Sequence, residues 1–331
     1  MTQTSIKDIA NRVGVSTASV SLVLNGKDKN GRVGEVLAEK IRQEAKAMNY
    51  EPNRMAKGLR SGRSETIGLI VADISNPFFA NLAFHIQEHA ELYGYSVIIT
   101  NSNEKTEKME KMISVLRSRQ VDGFIIVPTE HGEKPIEKLV NDKFPVVLLD
   151  RYFPEINVSY VSVNNYQASM EATNLLLNLN CNRIAQVIYK SSLQHMQARK
   201  EGFIAAVKKK DLYDPKLIKE VDYMTIAGDT QKAIMEIVSN EEKVDGIFFA
   251  TNTISTIGLK VLAGLHIEIP KDMKVVCFDK NDALELSKDY IPYIQQPIPE
   301  MGKRAIDLLI KQIKTEMSPC ISEELQAYLE F

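Results

Sequence analysis

Cysteine is scarce in this chain: Cys181, Cys277 and Cys320 are an odd, widely spaced set in 331 residues, with no C-x-x-C pair. Such spacing argues for reduced thiols and against a disulfide framework or a zinc site. No apolar run approaches the roughly 20 residues that span a bilayer. Met-Thr-Gln-Thr leads at once into a helical pattern, with no apolar signal region, so a soluble, cytoplasmic protein with no membrane partner is expected. There is also no G-x-G-x-x-G after a strand, no Walker loop and no G-x-S-x-G elbow, so neither a cofactor nor catalysis is expected. His85-Ile86-Gln87-Glu88-His89 matches the literal H-x-x-E-H pattern of a zinc hydrolase, with both imidazoles on one helix face. The motif is short and has no further ligand nearby. Interface or solvent-facing histidines are the preferred reading, with a zinc hydrolase as the remote alternative.

What is present begins within the first 26 residues. Ser5 and Asp8 form a capping-box pattern, and Ile6, Ile9, Ala10 and Val13 recur at helical spacing, predicting a helix from Ile6 to Val13 that Gly14 stops. Ser16 can cap a second helix, in which Val20, Val23 and Leu24 face inward until Asn25-Gly26 ends it. Thr17, Ala18, Ser21 and Leu22 then face outward. Helices this short bury little alone, so the pair reads as a helix-turn-helix presenting its second helix to the DNA major groove. Short side chains there let the backbone approach base edges and methyl groups, which makes Thr17, Ala18 and Leu22 the candidate base readers, with Ser16, Ser21 and Asn25 beside them. The competing reading is an ordinary helical hairpin. Charge favours DNA: residues 1 to 63 carry 12 Lys and Arg against 6 Asp and Glu, whereas the remainder carries 29 against 37.

A third helix fits Glu35 to Asn49, with Val36, Leu37, Ile41, Ala45 and Met48 close to one face. A basic stretch follows, and its segment from Asn53 to Arg60 groups Met55, Ala56 and Leu59 on one side. IKDIANRVGVSTASVSLVLNG, NYEPNRMAKGLRSGRSETIGLIVADISNPFF and, further on, IPEMGKRAIDLLI together resemble the lactose-repressor (LacI/GalR) family of bacterial transcription regulators over nearly the whole chain. The resemblance implies that the segment with Asn53, Lys57 and Leu59 is a hinge that turns helical on operator DNA, Leu59 wedging into a minor-groove step. The chain also departs from the family. The loop from Asp28 to Arg32 is about three residues longer than usual, Gly34 stands where a serine normally caps the third helix, and Leu22 replaces a polar or basic reader. An apolar contact, such as one to a thymine methyl, suits Leu22 better than one to guanine.

Beyond residue 64, strand and helix patterns alternate. Strands are expected at 66–72, 96–100, 123–127, 146–149, 183–188, 217–221, 246–250 and 274–278. Helices are expected at 78–93, 106–119, 135–141, 166–178, 194–209, 229–240, 253–263 and 299–314. Alternation implies parallel sheets with ligands at the carboxyl ends of strands. The expected fold is therefore an all-α helix-turn-helix head (1–50), a hinge (51–64) and an α/β body (65–331). By the resemblance, that body is of the periplasmic-binding-protein type, with two doubly wound parallel-sheet lobes, the first near 65–162 and 292–318 and the second near 163–291 and 319–331. Crossovers are then expected at 162–165, 290–292 and 318–321.

Strand ends and the resemblance together nominate Phe78, Phe79, Asp150, Arg199, Asn252, Asp279 and Gln296 as effector-binding residues. Arg199 matches the family's R-x-x-G-F arginine, whose planar fork suits hydroxyls or a carboxylate. Structural readings stand beside these: the phenylalanines as core, Asp150 paired with Arg151, and Asn252 as a helix N-cap. Thr253, Cys277 and Lys280 depart from the family, and positive charge at Lys280 and Lys190 leaves room for an acidic or phosphorylated sugar. The resemblance further implies a homodimer on a pseudo-palindromic double-stranded operator, with the helix of His85 and His89 packed on its lobe and against the second subunit, and with a sugar-like effector closing the lobes and controlling DNA affinity. The alternative is a sugar-binding protein with the same body and no DNA role.

Overall fold

The computed structural model describes residues 4–26, 28, 33–50, 63–281, 284, 290–315 and 319–331. The chain divides into two compact units, residues 1–64 and 65–331.

The head has three helices, α1 (Ile6–Val13), α2 (Thr17–Leu24) and α3 (Glu35–Ala47). Ser5 and Asp8 cap α1 reciprocally, the Ser5 N–H donating to Asp8 Oδ2 at 2.8 Å. Gly14 then ends α1 at φ +81°, a left-handed turn open to glycine without strain. Ser16 Oγ accepts from the Ser19 N–H at 3.1 Å and starts α2. Gly34 begins α3 with no side-chain cap, as its lack of a hydroxyl dictates. Ile9, Val20, Val23, Ala38, Ile41 and Ala45 fill the small core. Ion pairs Arg12–Glu44 and Arg42–Asp28 tie surface charges across the helices.

The body contains β1 (Thr66–Val71), α4 (Pro77–Leu92), β2 (Ser96–Asn101), α5 (Thr106–Ser118), β3 (Gly123–Ile126), α6 (Glu133–Asn141), β4 (Val146–Leu149), β5 (Ser159–Val163) and α7 (Asn165–Asn178). It continues with β6 (Ile184–Tyr189), α8 (Gln194–Lys208), β7 (Ile218–Val221), α9 (Ile226–Val238), β8 (Gly246–Phe249), α10 (Asn252–Gly264), β9 (Lys274–Phe278), β10 (Tyr293–Gln295), α11 (Ile298–Lys314), β11 (Ser322–Leu325) and β12 (Tyr328–Glu330). Two six-stranded sheets result, ordered β11-β5-β4-β3-β1-β2 and β12-β10-β9-β8-β6-β7. Every pairing is parallel except β10 with β12. Inner strands include continuous apolar runs such as Phe124-Ile125-Ile126 and Gly246-Ile247-Phe248-Phe249, as burial on both faces requires. Among the described residues, no helix is long and apolar enough to cross a membrane.

Two crossovers differ from expectation. Tyr293–Gln295 still belongs to the second sheet, and Ser322–Leu325 belongs to the first, so the chain changes lobe near Gln296-Pro297 and Gln326-Ala327. The reason is physical: β11 reads Ser-Glu-Glu-Leu and is an edge strand, whose half-solvated position needs no apolar pattern. α11 returns to the first lobe, packing on α4 and across β3, β4 and β5.

Candidate functional site

The carboxyl ends of the strands face a cavity of about 320 Å³ between the two sheets. Each lobe contributes a strand-end aspartate in the left-handed region, Asp150 after β4 at φ +67° and Asp279 after β9 at φ +69°. Non-glycine residues hold that conformation at a cost of about 1 kcal/mol or more, so the surroundings must fix it. Asp279 Oδ1 accepts from Gln296 Nε2 at 2.7 Å, at the crossover after β10. Arg199 rises from α8 beneath them: its Nε donates to Asn165 Oδ1 at 2.7 Å, its Nη1 to the Ala250 carbonyl at 2.8 Å, and its guanidinium lies 3.4 Å from the Phe278 ring centroid. A planar fork stacked and doubly bonded in this way has one orientation.

All seven residues nominated from sequence, Phe78, Phe79, Asp150, Arg199, Asn252, Asp279 and Gln296, line this cavity. Phe78 and Phe79 meet edge to face at 5.0 Å and are also buried, so their structural and lining roles coexist. Asn252 is not the N-cap of α10. Thr251 takes that role through its hydroxyl, which frees Asn252 to donate from Nδ2 to Asn76 Oδ1 across the cleft at 2.8 Å. Asn76 also caps α4 by accepting from the Phe78 N–H. The lobes are further linked by Ser192 N–H to Glu130 at 2.6 Å and Tyr223 Oη to Asp73 at 3.5 Å.

The nominated set misses several lining groups. Arg151 is buried and makes a bidentate pair with Glu104 at 2.7 and 2.7 Å, its Nε lying 3.4 Å from Asp150. Only adjacency to Asp150 signalled it, and Glu104 carried no signal because its loop position is set by tertiary structure. His195 is buried at the start of α8 with Nδ1 unpartnered. Tyr189 and Tyr223 form a further aromatic wall, with ring centroids 5.9 Å apart. Lys190 and Lys280 are absent from the lining; Lys280 borders a second hollow beside His85 and Pro299.

Burial governs the ionisations. It pushes Asp279 up to about 6 against the pull of Arg199, raises Asp150, and pushes Arg199 down to about 10. His195 is held well below its ordinary value by burial and then by Arg151 and Arg199, so it is neutral at physiological pH. The folded Asp279 value lies above the ordinary 3.8, so its contribution to stability rises as pH falls through about 6 and is complete below about 4. Asp279→Asn should therefore flatten the stability–pH curve between these values, as urea unfolding at closely spaced pH would read.

In the head, Ser16, Thr17, Ala18 and Asn25 are exposed and Ser21 is partly buried. Leu22 departs from the outward-facing expectation, because it packs against the head's apolar core, where its methyl groups gain from burial. Asn25 Nδ2 donates to the Ser21 carbonyl at 2.7 Å and is engaged in ending α2. Asn53, Lys57 and Leu59 lie outside the described residues. His85 Nδ1 stands 3.6 Å from Glu88, and no cluster of metal-ligating side chains occurs among the described residues.

Comparison with known proteins gives a match to both units. Residues 64–325 match the model of periplasmic binding proteins and the sugar binding domain of the LacI family, and residues 5–53 match that of bacterial regulatory proteins, lacI family. The ribose operon repressor of Halalkalibacterium halodurans is 32% identical over 311 residues, covering 94% of this chain and 91% of that repressor. A periplasmic binding protein/LacI transcriptional regulator from Alkaliphilus metalliredigens QYMF, solved with D-xylulofuranose, is 26% identical at a TM-score of 0.70, covering 81% of this chain and 97% of that one. The lac repressor dimer bound to operator superposes with a TM-score of 0.86 at 18% identity, over 99% of this chain and 98% of the other.

Proposed function

This chain belongs to the lacI family of bacterial regulatory proteins, and on that premise we infer that its head reads operator DNA while its cleft takes a sugar that sets the affinity of the head. It is a transcriptional regulator, and repression is the favoured direction. The observation that carries the reading is the convergence of Arg199, Asp279, Asn252 and Gln296 on one cavity walled by Phe78 and Phe79. Polar groups that fix hydroxyls beside aromatic faces that cover C–H surfaces make a site suited to a sugar. D-xylulofuranose in the relative from Alkaliphilus metalliredigens supports that class of ligand.

A ligand held at once by Asp150 and Phe79 from the first lobe and by Arg199, Asn252 and Asp279 from the second favours the closed arrangement. It shifts DNA affinity by its differential affinity for the two states. The protein acts as a cytoplasmic homodimer, two heads meeting two half-sites, with no catalytic step. Exposed Phe84 and Leu92 on α4 are apolar surface suited to a subunit face. Asn53, Lys57 and Leu59 complete the proposed set of operator-contacting residues.

The test uses a duplex selected from a random pool by the full-length protein. Thr17→Asp places a negative charge on the exposed start of α2 and is expected to weaken that duplex at least about 100-fold in fluorescence anisotropy, leaving thermal unfolding unchanged. Unaltered binding, or affinity that ignores salt, would overturn the reading.

A further inference from the structure

Much of the charge around the cavity is already committed within the protein. Its lining includes two guanidinium groups, Arg151 and Arg199, and four carboxylates, Asp73, Glu104, Asp150 and Asp279. Arg151 gives two hydrogen bonds to Glu104 and lies beside Asp150, and Arg199 gives Nε and Nη1 to Asn165 and Ala250. An entering phosphate or carboxylate would therefore meet cations whose hydrogen bonds are in large part already given and an excess of negative charge, while losing its own hydration.

The lining also offers uncharged hydrogen bonding. His195 Nδ1 and Gln296 Oε1 are buried with no partner, as is the Nε of Arg151, which lies 3.4 Å from Asp150, and each belongs to a side chain that lines the cavity. Buried polar atoms left in this state are costly unless a ligand or water completes them. Asp150 and Asp279 accept hydroxyl protons, and a neutral imidazole can donate or accept. The cavity, about 320 Å³, lies at the low end of the range for ligand clefts, roughly 300–1,000 Å³, which suits one sugar ring.

We propose that the cleft selects an uncharged monosaccharide, with hydroxyls on Asp150 and Asp279 and with His195 as a hydrogen-bonding partner, and that it rejects the phosphorylated and acidic forms of the same sugars. This rests on the sugar reading above and narrows it to a charge class, set by residues that the nominated set misses.

Titration calorimetry on the full-length protein tests it with ribose, xylose and glucose beside ribose 5-phosphate, glucose 6-phosphate and glucuronate. At least one neutral sugar should bind, with its charged counterpart about 100-fold weaker or more. A charged form that binds as tightly as its neutral parent overturns the charge-class proposal alone. Absence of binding by every member at about 10 mM overturns the sugar reading and the proposal with it. Glu104→Gln releases Arg151 from its carboxylate, so the preference for neutral over phosphorylated sugar should narrow about tenfold; as a ratio it is insensitive to partial unfolding. An unchanged ratio would remove Glu104 and Arg151 from the selectivity. His195→Leu should weaken the neutral sugar about tenfold without lowering the melting temperature, and His195→Gln should restore part of that loss. Equal affinity in the leucine variant would exclude His195 from the site.

Discussion

Gly202→Val is expected to unfold the second lobe, at a cost of about 4 kcal/mol or more. A Cβ at this position would lie 2.2 Å from the Tyr166 carbonyl oxygen and 3.1 Å from the Met170 nitrogen and Ser169 Cβ, all on α7. The obstacle is backbone, so no rotamer change relieves it. The two helices cannot separate without opening a core that includes Phe203, Ala168 and Ala172. Gly258 provides a contrast, since its added Cβ would meet the buried Phe249 ring at 2.4 Å, a side chain and not a backbone atom. Gly258→Ala should therefore cost less than Gly202→Ala. Urea unfolding followed by circular dichroism ranks the variants, and a Gly202→Val protein as stable as the parent would mean that α7 and α8 have room to part.

The second large effect is expected at Arg199. Arg199→Ala removes the buried cation that opposes the desolvation of Asp279 and Asp150 and strips Asn165 Oδ1 and the Ala250 carbonyl of their donor, and a buried charge left uncompensated in this way costs about 3–5 kcal/mol. Sugar affinity should fall by about 100-fold or more, and release or recruitment of DNA by sugar should disappear, while sugar-free DNA binding by protein that remains folded persists. Arg199→Lys should recover little, because one ammonium cannot hold Asn165 and Ala250 together while stacked on Phe278. Calorimetry with sugar and anisotropy with DNA separate the two losses. An alanine variant that retains its sugar response would remove Arg199 from the mechanism.

These two positions explain why so much of the site was legible in the sequence. Arg199 and Gly202 belong to one motif, the glycine admitting α8 close enough to α7 for the arginine to reach Asn165 at the first turn of α7. The capping pairs of the head were equally legible, since Ser5 with Asp8 and Ser16 with Ser19 are local chemistry. Most strands buried on both faces announced themselves as apolar runs, whereas β5, Ser-Tyr-Val-Ser-Val, did not, because its serines interrupt the pattern. Tyr293–Gln295, Ser322–Leu325 and Tyr328–Glu330 did not either, because each has only three or four residues and the last two are edge strands, whose half-solvated positions need no such pattern. Glu104 with Arg151 also stayed hidden: their sequence separation is bridged only by the fold, and surface charges elsewhere look the same. His195 was silent for a similar reason, as a lone histidine gives no sign of its burial. Leu22 shows the converse, a residue assigned outward by helical geometry that the small core partly reclaims.

The late crossovers bear on how the body is made. β10 belongs to the second sheet, α11 covers the first, and β11 and β12 then supply one edge strand to each. During synthesis, neither sheet has its full complement of strands until residues 322–330 have left the ribosome, so the first lobe must wait for chain made long after its own first strand. Until then both sheets present an unpaired edge, the surface most prone to joining another chain. A stop codon shortly before Ser322 would consequently leave two incomplete sheets, and aggregation of the nascent body is its foreseeable result.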